Sequence, residues 1–211
     1  MNLIELHILQ SFPVTCLNRD DVGAPKTAIF GGCQRARVSS QCWKRAIRSL
    51  AAEADVEHFS GKRTRYIVQP IQSALEKAGK TQAHAEIITE FLADGIGKLD
   101  GGKKNVKTLL YFSPMELQNV VDEVLQQDID TYVNSIAERR AKLAEGKKDK
   151  ADKNDKELAK VAKKAAKSLS KSVKDAADIS IFGRMVADDH SLMVEGAGLF
   201  SHALSTHKVS N

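Results

Sequence analysis

Residues 3–10 alternate in polarity: Ile4, Leu6 and Ile8 share one face, Glu5 and His7 the other. That is the period of a strand. Residues 11–36 carry no such period and read as a long loop containing Asn18-Arg19-Asp20-Asp21, Pro25, Lys26 and Gly31-Gly32. Loops of that length are usually functional, the bland alternative being a surface excursion. The spacing then turns helical over 40–54. Trp43, Ala46, Ile47, Leu50 and Ala54 form a stripe predicted to be buried, while Gln41, Lys44, Arg45 and Arg48 lie off it and face outward. Ser39 or Ser40 is placed to cap this helix. Its first turn combines free N–H groups, a positive dipole end and nearby cations, which suits phosphate. A solvated basic helix face is the plain alternative.

Two short helices are predicted within 70–94, separated at Gly79, then a turn-rich loop at 95–104 and a strand at 106–112. Ser113-Pro114-Met115-Glu116 is a capping box with proline at the first helical position, and opens a helix at 114–127. A further helix spans 128–144, residues 145–155 read as a charged linker, and residues 178–187 read as a strand broken at Gly183.

The helix after the linker is the most informative segment. Lys156, Lys160, Lys163, Lys167, Lys171 and Lys174 recur at steps of four and three, which is one helical face. Leu158, Ala162, Ala165, Leu169 and Val173 recur on another. The apolar face is predicted to dock and the lysine face to stay outside. Like charges four residues apart cost a helix roughly 0.2–0.5 kcal/mol per pair, so a row with little interleaved acid calls for an anion. Four residues rise about 6 Å, comparable to the phosphate spacing of an extended strand. A merely solvated lysine face is the alternative.

Charge distribution agrees. From 140 to 175 there are 13 Lys and Arg against 6 Asp and Glu, a local +7, whereas the whole chain carries +5 and its remainder therefore −2. A second basic cluster lies at 35–48. Aromatic residues are only 5% of the chain, so base stacking is not its main means of binding nucleic acid. Cys16, Cys33 and Cys42 show no CxxC spacing and fit a reducing compartment. No apolar run is long enough to span a membrane, and the N-terminus lacks the basic start of a signal peptide. A cytoplasmic protein without membrane contact is expected. No phosphate-binding glycine loop, nucleophile elbow, zinc-protease or dinucleotide motif is present, so no enzymatic activity and no cofactor are expected. Asp20-Asp21 and Asp188-Asp189 are the acid pairs that could hold a divalent ion.

The run CLNRDDVGAPKTAIFGGCQRARVSSQCWKRAIR, residues 16–48, resembles the signature of the backbone subunit of type I-E CRISPR Cascade, the Cas-seven (CasC) family. Asn18-Arg19-Asp20-Asp21, Lys26, Ala28 through Gly32, Arg35, Arg37, Ser39-Ser40-Gln41 and Lys44-Arg45 match in order and spacing. Gly183-Arg184-Met185, Ser201-His202-Ala203 and Thr206-His207 are a second match. The resemblance implies an α+β fold: an RRM-like (ferredoxin-like) palm with a large helical finger insertion. It divides the chain into 1–55 (strand, RNA-binding loop and helix of the palm), 56–175 (helical finger and basic helix) and 176–211 (palm strand and start of the thumb region). Family members are longer, so the thumb and last palm elements are expected to be absent, whether through truncation, a second chain or a short form.

The resemblance also implies partners and roles. Copies of the backbone subunit stack along one CRISPR RNA, beside other Cascade subunits, and leave its bases free to pair with target DNA. RNA-binding positions carried over are Arg19, Lys26, Arg35, Arg37, Ser39, Gln41, Lys44 and Arg48, with Lys156, Lys160, Lys163 and Lys167 on the finger and Met185 against a displaced nucleotide. The alternative is a metal-dependent RNA endonuclease using loop residue Asp20 or Asp21.

Overall fold

Gly31 and Gly32 both take positive φ, 63° and 75°. A two-residue turn with both centres left-handed matches the twist of a hairpin, and glycine occupies it without steric cost. The turn joins β1 (Thr27–Phe30) to β2 (Cys33–Val38), paired antiparallel from Thr27 opposite Ala36 to Phe30 opposite Cys33. The second half of the expected loop 11–36 is therefore a hairpin. Charged Arg35 and Arg37 along β2 mask its strand character. β2 also pairs with β5 (Ala203–Leu204), giving the order β1-β2-β5.

The computed structural model describes residues 2–143, 152–170, 175–185 and 192–210. The chain forms two units, Met1–Ile47 with Phe200–Asn211, and Arg48–Leu199. Lys171, Val173 and Lys174, the Asp188-Asp189 pair and most of the 145–155 linker lie outside the described residues. No described helix is long and apolar enough to cross a membrane.

In the first unit, residues 3–10 are not a strand. They pair with no described strand, and Leu3, Ile4, Leu6, Ile8 and Leu9 are exposed. Alternation supplies a face, but a strand also needs a neighbour's hydrogen bonds. Helix α1 (Ser40–Ala54) runs where expected, with its first half in this unit and the rest in the second. It buries no residue, and Ile47 and Leu50 of its apolar stripe are exposed. Trp43 of the same stripe is half-buried.

The second unit holds the core. α2 (Val68–Lys77) and α3 (Gln82–Gly97) are separated at Gly79, as the spacing predicts, and bury Ile71, Leu75, Ile88 and Leu92. Thr81 caps α3 by accepting from the His84 N–H. α3 runs into the expected loop as far as Gly97, and β4 (Leu110–Phe112) is shorter than the expected strand, pairing antiparallel with β3 (Lys62–Thr64). The capping box at Ser113 and Glu116 is formed and starts α4 (Pro114–Leu125). α5 (Asp130–Leu143) and α6 (Lys153–Ala166) follow. Leu158, Ala162, Ala165 and Leu169 are all buried in the core, as expected.

The expected strand at 178–187 is instead α7 (Ala177–Phe182), with residues 186–187 outside the described set. Ile179 and Phe182, three apart, are both buried, a helical rather than an alternating spacing. Gly183 ends the helix at φ 76°. A Cβ there would lie 2.9 Å from the Val194 oxygen and the Gly196 nitrogen, so only glycine allows the two backbones to meet.

Candidate nucleic-acid interface

The loop before β1 is a folded scaffold. Asp20 Oδ1 accepts from the N–H groups of Val22 (3.0 Å) and Ala24 (2.8 Å), closing a turn. Arg19 and Pro25 face each other across an isolated bridge, and Arg19 Nη1 donates to the Gly23 carbonyl at 2.7 Å. Arg19 is exposed and Lys26 half-buried, its N–H bound to the Asn18 carbonyl. Asp20 thus holds the loop's shape. Among the described residues no group of three His, Cys, Asp or Glu could hold a metal ion.

Arg35 turns inward. Its Nε donates to the Phe30 carbonyl at 3.1 Å, and its Nη1 to those of Ser205 (2.8 Å) and Thr206 (2.6 Å), fastening the 205–206 segment to the hairpin. Arg37 is half-buried, and its Nε is buried without a hydrogen-bond partner.

The start of α1 is more occupied than expected. Ser39 is the cap: its Oγ accepts from the Cys42 N–H at 3.4 Å, and its own N–H donates to Asn18 Oδ1 at 3.0 Å. The Ser40 N–H donates to His202 Nδ1 at 3.0 Å. The first turn is therefore not an array of free donors. Gln41 is exposed, and Lys44 Nζ sits 5.5 Å from the centre of the Phe200 ring. His202 belongs to the second matched motif. Its capping role requires two segments far apart in sequence to meet, which no local pattern shows.

In the second unit, α6 presents the lysine face. Lys156, Lys160, Lys163 and Lys167 are all exposed, whereas Leu158 on the opposite side is fully buried. The α-helix ends at Ala166, so Lys167 lies in the 3-10 turn Lys167–Ser170 and the row steps off the α-helical register there. One compensating acid is present after all. Glu157 pairs with Lys160 at 2.8 Å, and this ammonium holds the Glu157 carboxyl below its ordinary range. The start of α6 is fixed by a capping box of Asp152 and Asp155, and by Arg139 of α5, whose two terminal nitrogens grip Asp155 at 2.6 and 2.7 Å.

Arg48 does not face outward as expected. Its guanidinium lies 4.5 Å from the Phe182 ring centre and 5.0 Å from that of Tyr111, and its Nε is buried without a partner. Such stacking over two rings is a packing contact. Tyr111 in turn donates to Asp178, and burial, with Asp178 second, pushes its hydroxyl pKa up. Met185 is exposed, as a residue meeting a ligand requires. Its neighbour Arg184 is buried, donating to Glu116 Oε1 at 2.6 Å and to the Tyr111 and Leu192 carbonyls. Burial raises the Glu116 pKa against the opposing pull of Arg184. Sequence reasoning singled out Glu116 only as a cap and Arg184 only as part of a motif.

A chain of a "CRISPR RNA-guided surveillance complex" superposes with a TM-score of 0.60 at 27% identity, over 94% of this chain and 57% of that one. A chain of a "CRISPR RNA-guided surveillance complex, pre-nicking" gives 0.58 at 27% identity, over 92% of this chain and 49% of that one. The protein therefore spans about half the length of these relatives. No curated protein sequence matches it. The family model described as CT1975-like protein matches residues 4–211. The chain belongs to the CT1975-like protein family, the Cas-seven type that its loop and first helix resemble.

Proposed function

We propose that this protein is a guide-RNA-binding backbone subunit of a CRISPR surveillance complex. Copies line up along the RNA beside other Cascade subunits in the cytoplasm and leave its bases open for pairing with target DNA. The observation that carries this reading is the two-sidedness of α6. Its apolar side is sealed in the core, so the exposed ammonium groups of Lys156, Lys160 and Lys163 stand on a rigid support. Arg19, Lys26, Gln41, Lys44, Lys167 and Met185 are the further contacts. Arg35, Ser39 and Arg48 act by shaping the surface, because their polar groups engage the protein itself. Arg37 is assigned with them because its Nε is buried away from solvent.

The role is binding without catalysis. Specificity comes from base pairing, while the protein contacts phosphates. Affinity for single-stranded RNA should fall with salt, log K against log salt having a slope of about −0.7 per phosphate contacted. Lys160→Glu with Lys163→Glu should weaken RNAs of unrelated sequence alike, by about tenfold or more at moderate salt. Fluorescence anisotropy checks both, and a loss confined to some sequences contradicts phosphate recognition.

A further inference from the structure

A second basic surface lies outside every residue assigned so far. Val106 pairs with Leu99, the Lys107 N–H donates to the Lys98 carbonyl, and the Val106 N–H donates to the Arg65 carbonyl. These bonds tie residues 98–107 into a ribbon beside the segment after β3. Arg65, Lys98, Lys104 and Lys107 are exposed along it. Tyr66, also exposed, borders a shallow groove with Arg65, Asn105 and Lys107. Asp100 lines the same groove, but its Oδ1 already accepts from the Lys104 and Asn105 N–H groups.

Backbone conformation adds a second, independent observation. Among the described residues, the only non-glycine residues with positive φ are Lys98 (55°) and Lys103 (54°), both in this ribbon. Lys98 directly follows the last residue of α3 and takes φ 55° with ψ 123°, a backbone conformation glycine adopts far more readily than lysine. A lysine there is conformationally costly, and such strain concentrates where a side chain has a task. Lys103 pairs with Glu90 at 2.9 Å, which accounts for one of the two; among the described residues no ion pair accounts for Lys98. Helix α3, which leads into the ribbon, packs against the main chain of α6. A Cβ on Gly95 would sit 3.6 Å from the main chain of Ala162 and Lys163, and Lys98 follows about 4.5 Å along the helix axis.

We infer that the ribbon 98–107, with Arg65 and Tyr66, is a further contact for one single strand of nucleic acid, its phosphates on the cations and a base on the Tyr66 ring. A lone exposed tyrosine between cations suits an unpaired base, whereas a duplex hides its base faces. The inference rests on the proposed function only in taking the ligand to be nucleic acid.

The test measures binding of the full chain to a labelled single-stranded RNA, the same sequence as single-stranded DNA, and the DNA duplex. Arg65→Glu with Lys107→Glu should weaken single strands by about tenfold and make the salt slope shallower by about 1.4. Tyr66→Ala should weaken them, with Tyr66→Phe restoring affinity. Lys98→Gly should weaken binding without lowering the melting temperature, since glycine suits that backbone. Unchanged affinity and slope in the ribbon variants, beside a loss in Lys160→Glu with Lys163→Glu, overturns the inference and leaves the proposed function standing. Loss in the ribbon variants alone sustains the inference and overturns the role of α6, and silence in both sets overturns both. A larger loss for duplex than for single strands overturns the single-strand assignment, and a lowered melting temperature in Lys98→Gly overturns the strain argument.

Discussion

Charged residues in this protein divide by what their polar atoms already touch. Arg35 and Arg48 look like Arg19 in the sequence, yet they are half-buried against carbonyls and aromatic rings, while Arg19, with one guanidinium nitrogen on the Gly23 carbonyl, stays exposed. Asp20 belongs with the clamps. Its carboxylate closes the 20–24 turn through two main-chain N–H groups, work an uncharged acceptor can also do. Asp20→Asn should therefore bind RNA like the parent chain, and Asp20→Ala should bind more weakly as the loop loosens. Neither should change the yield of cut RNA when labelled RNA is incubated with Mg²⁺ or Mn²⁺. Cleavage by the parent chain that disappears in Asp20→Asn would restore the nuclease reading. The pairing of Arg184 with Glu116, 68 residues away in sequence, leaves no trace in spacing. Only the fold brings them together.

At the scale of elements, α6 shows how far periodicity reaches. Its stripe of Leu158, Ala162 and Ala165, continued by Leu169 of the following 3-10 turn, was legible because docking against a core imposes the helical repeat on sequence directly. The acids that anchor it were less legible, because their partner Arg139 sits on another helix. The side-chain bonds from Arg139, more than any other cause, hold the Asp155 pKa at about 2, below its ordinary 3.8. A carboxylate with a depressed folded-state pKa adds stability above its unfolded value and loses it as pH falls. Stability should accordingly drop between pH of about 4 and about 2, a drop reduced in Asp155→Asn. Asp155→Ala, which also removes half of the capping box, should cost about 1–2 kcal/mol at neutral pH, read from the urea midpoint. A pH profile identical in parent and Asp155→Asn would sink this account. α7 marks the limit of the same reasoning. Its Ile-rich stretch is short, and short apolar runs do not distinguish strand from helix.

For the whole molecule, the apolar surface is unevenly used. The second unit has a continuous core, whereas residues 3–9 leave Leu3, Ile4, Leu6, Ile8 and Leu9 exposed. Exposed alternating apolar segments promote association. Leu6→Lys with Ile8→Lys should lower light scattering of the purified chain without moving its melting temperature, and a fall in that temperature would show that the segment is packed. Sequence alone determined helices α2 to α6 of the second unit, the box that opens α4, the two faces of α6 and the family signature of residues 16–48. Each is written in neighbours three or four apart or in unbroken order. Tertiary structure alone decided that residues 3–10 find no strand partner among the described residues, that the second half of the first loop closes into a hairpin, that α1 leaves Ile47 and Leu50 exposed, and which arginines remain outside. Those outcomes depend on hydrogen bonds and burial between segments distant in the chain, and whether a partner is within reach is a property of the fold.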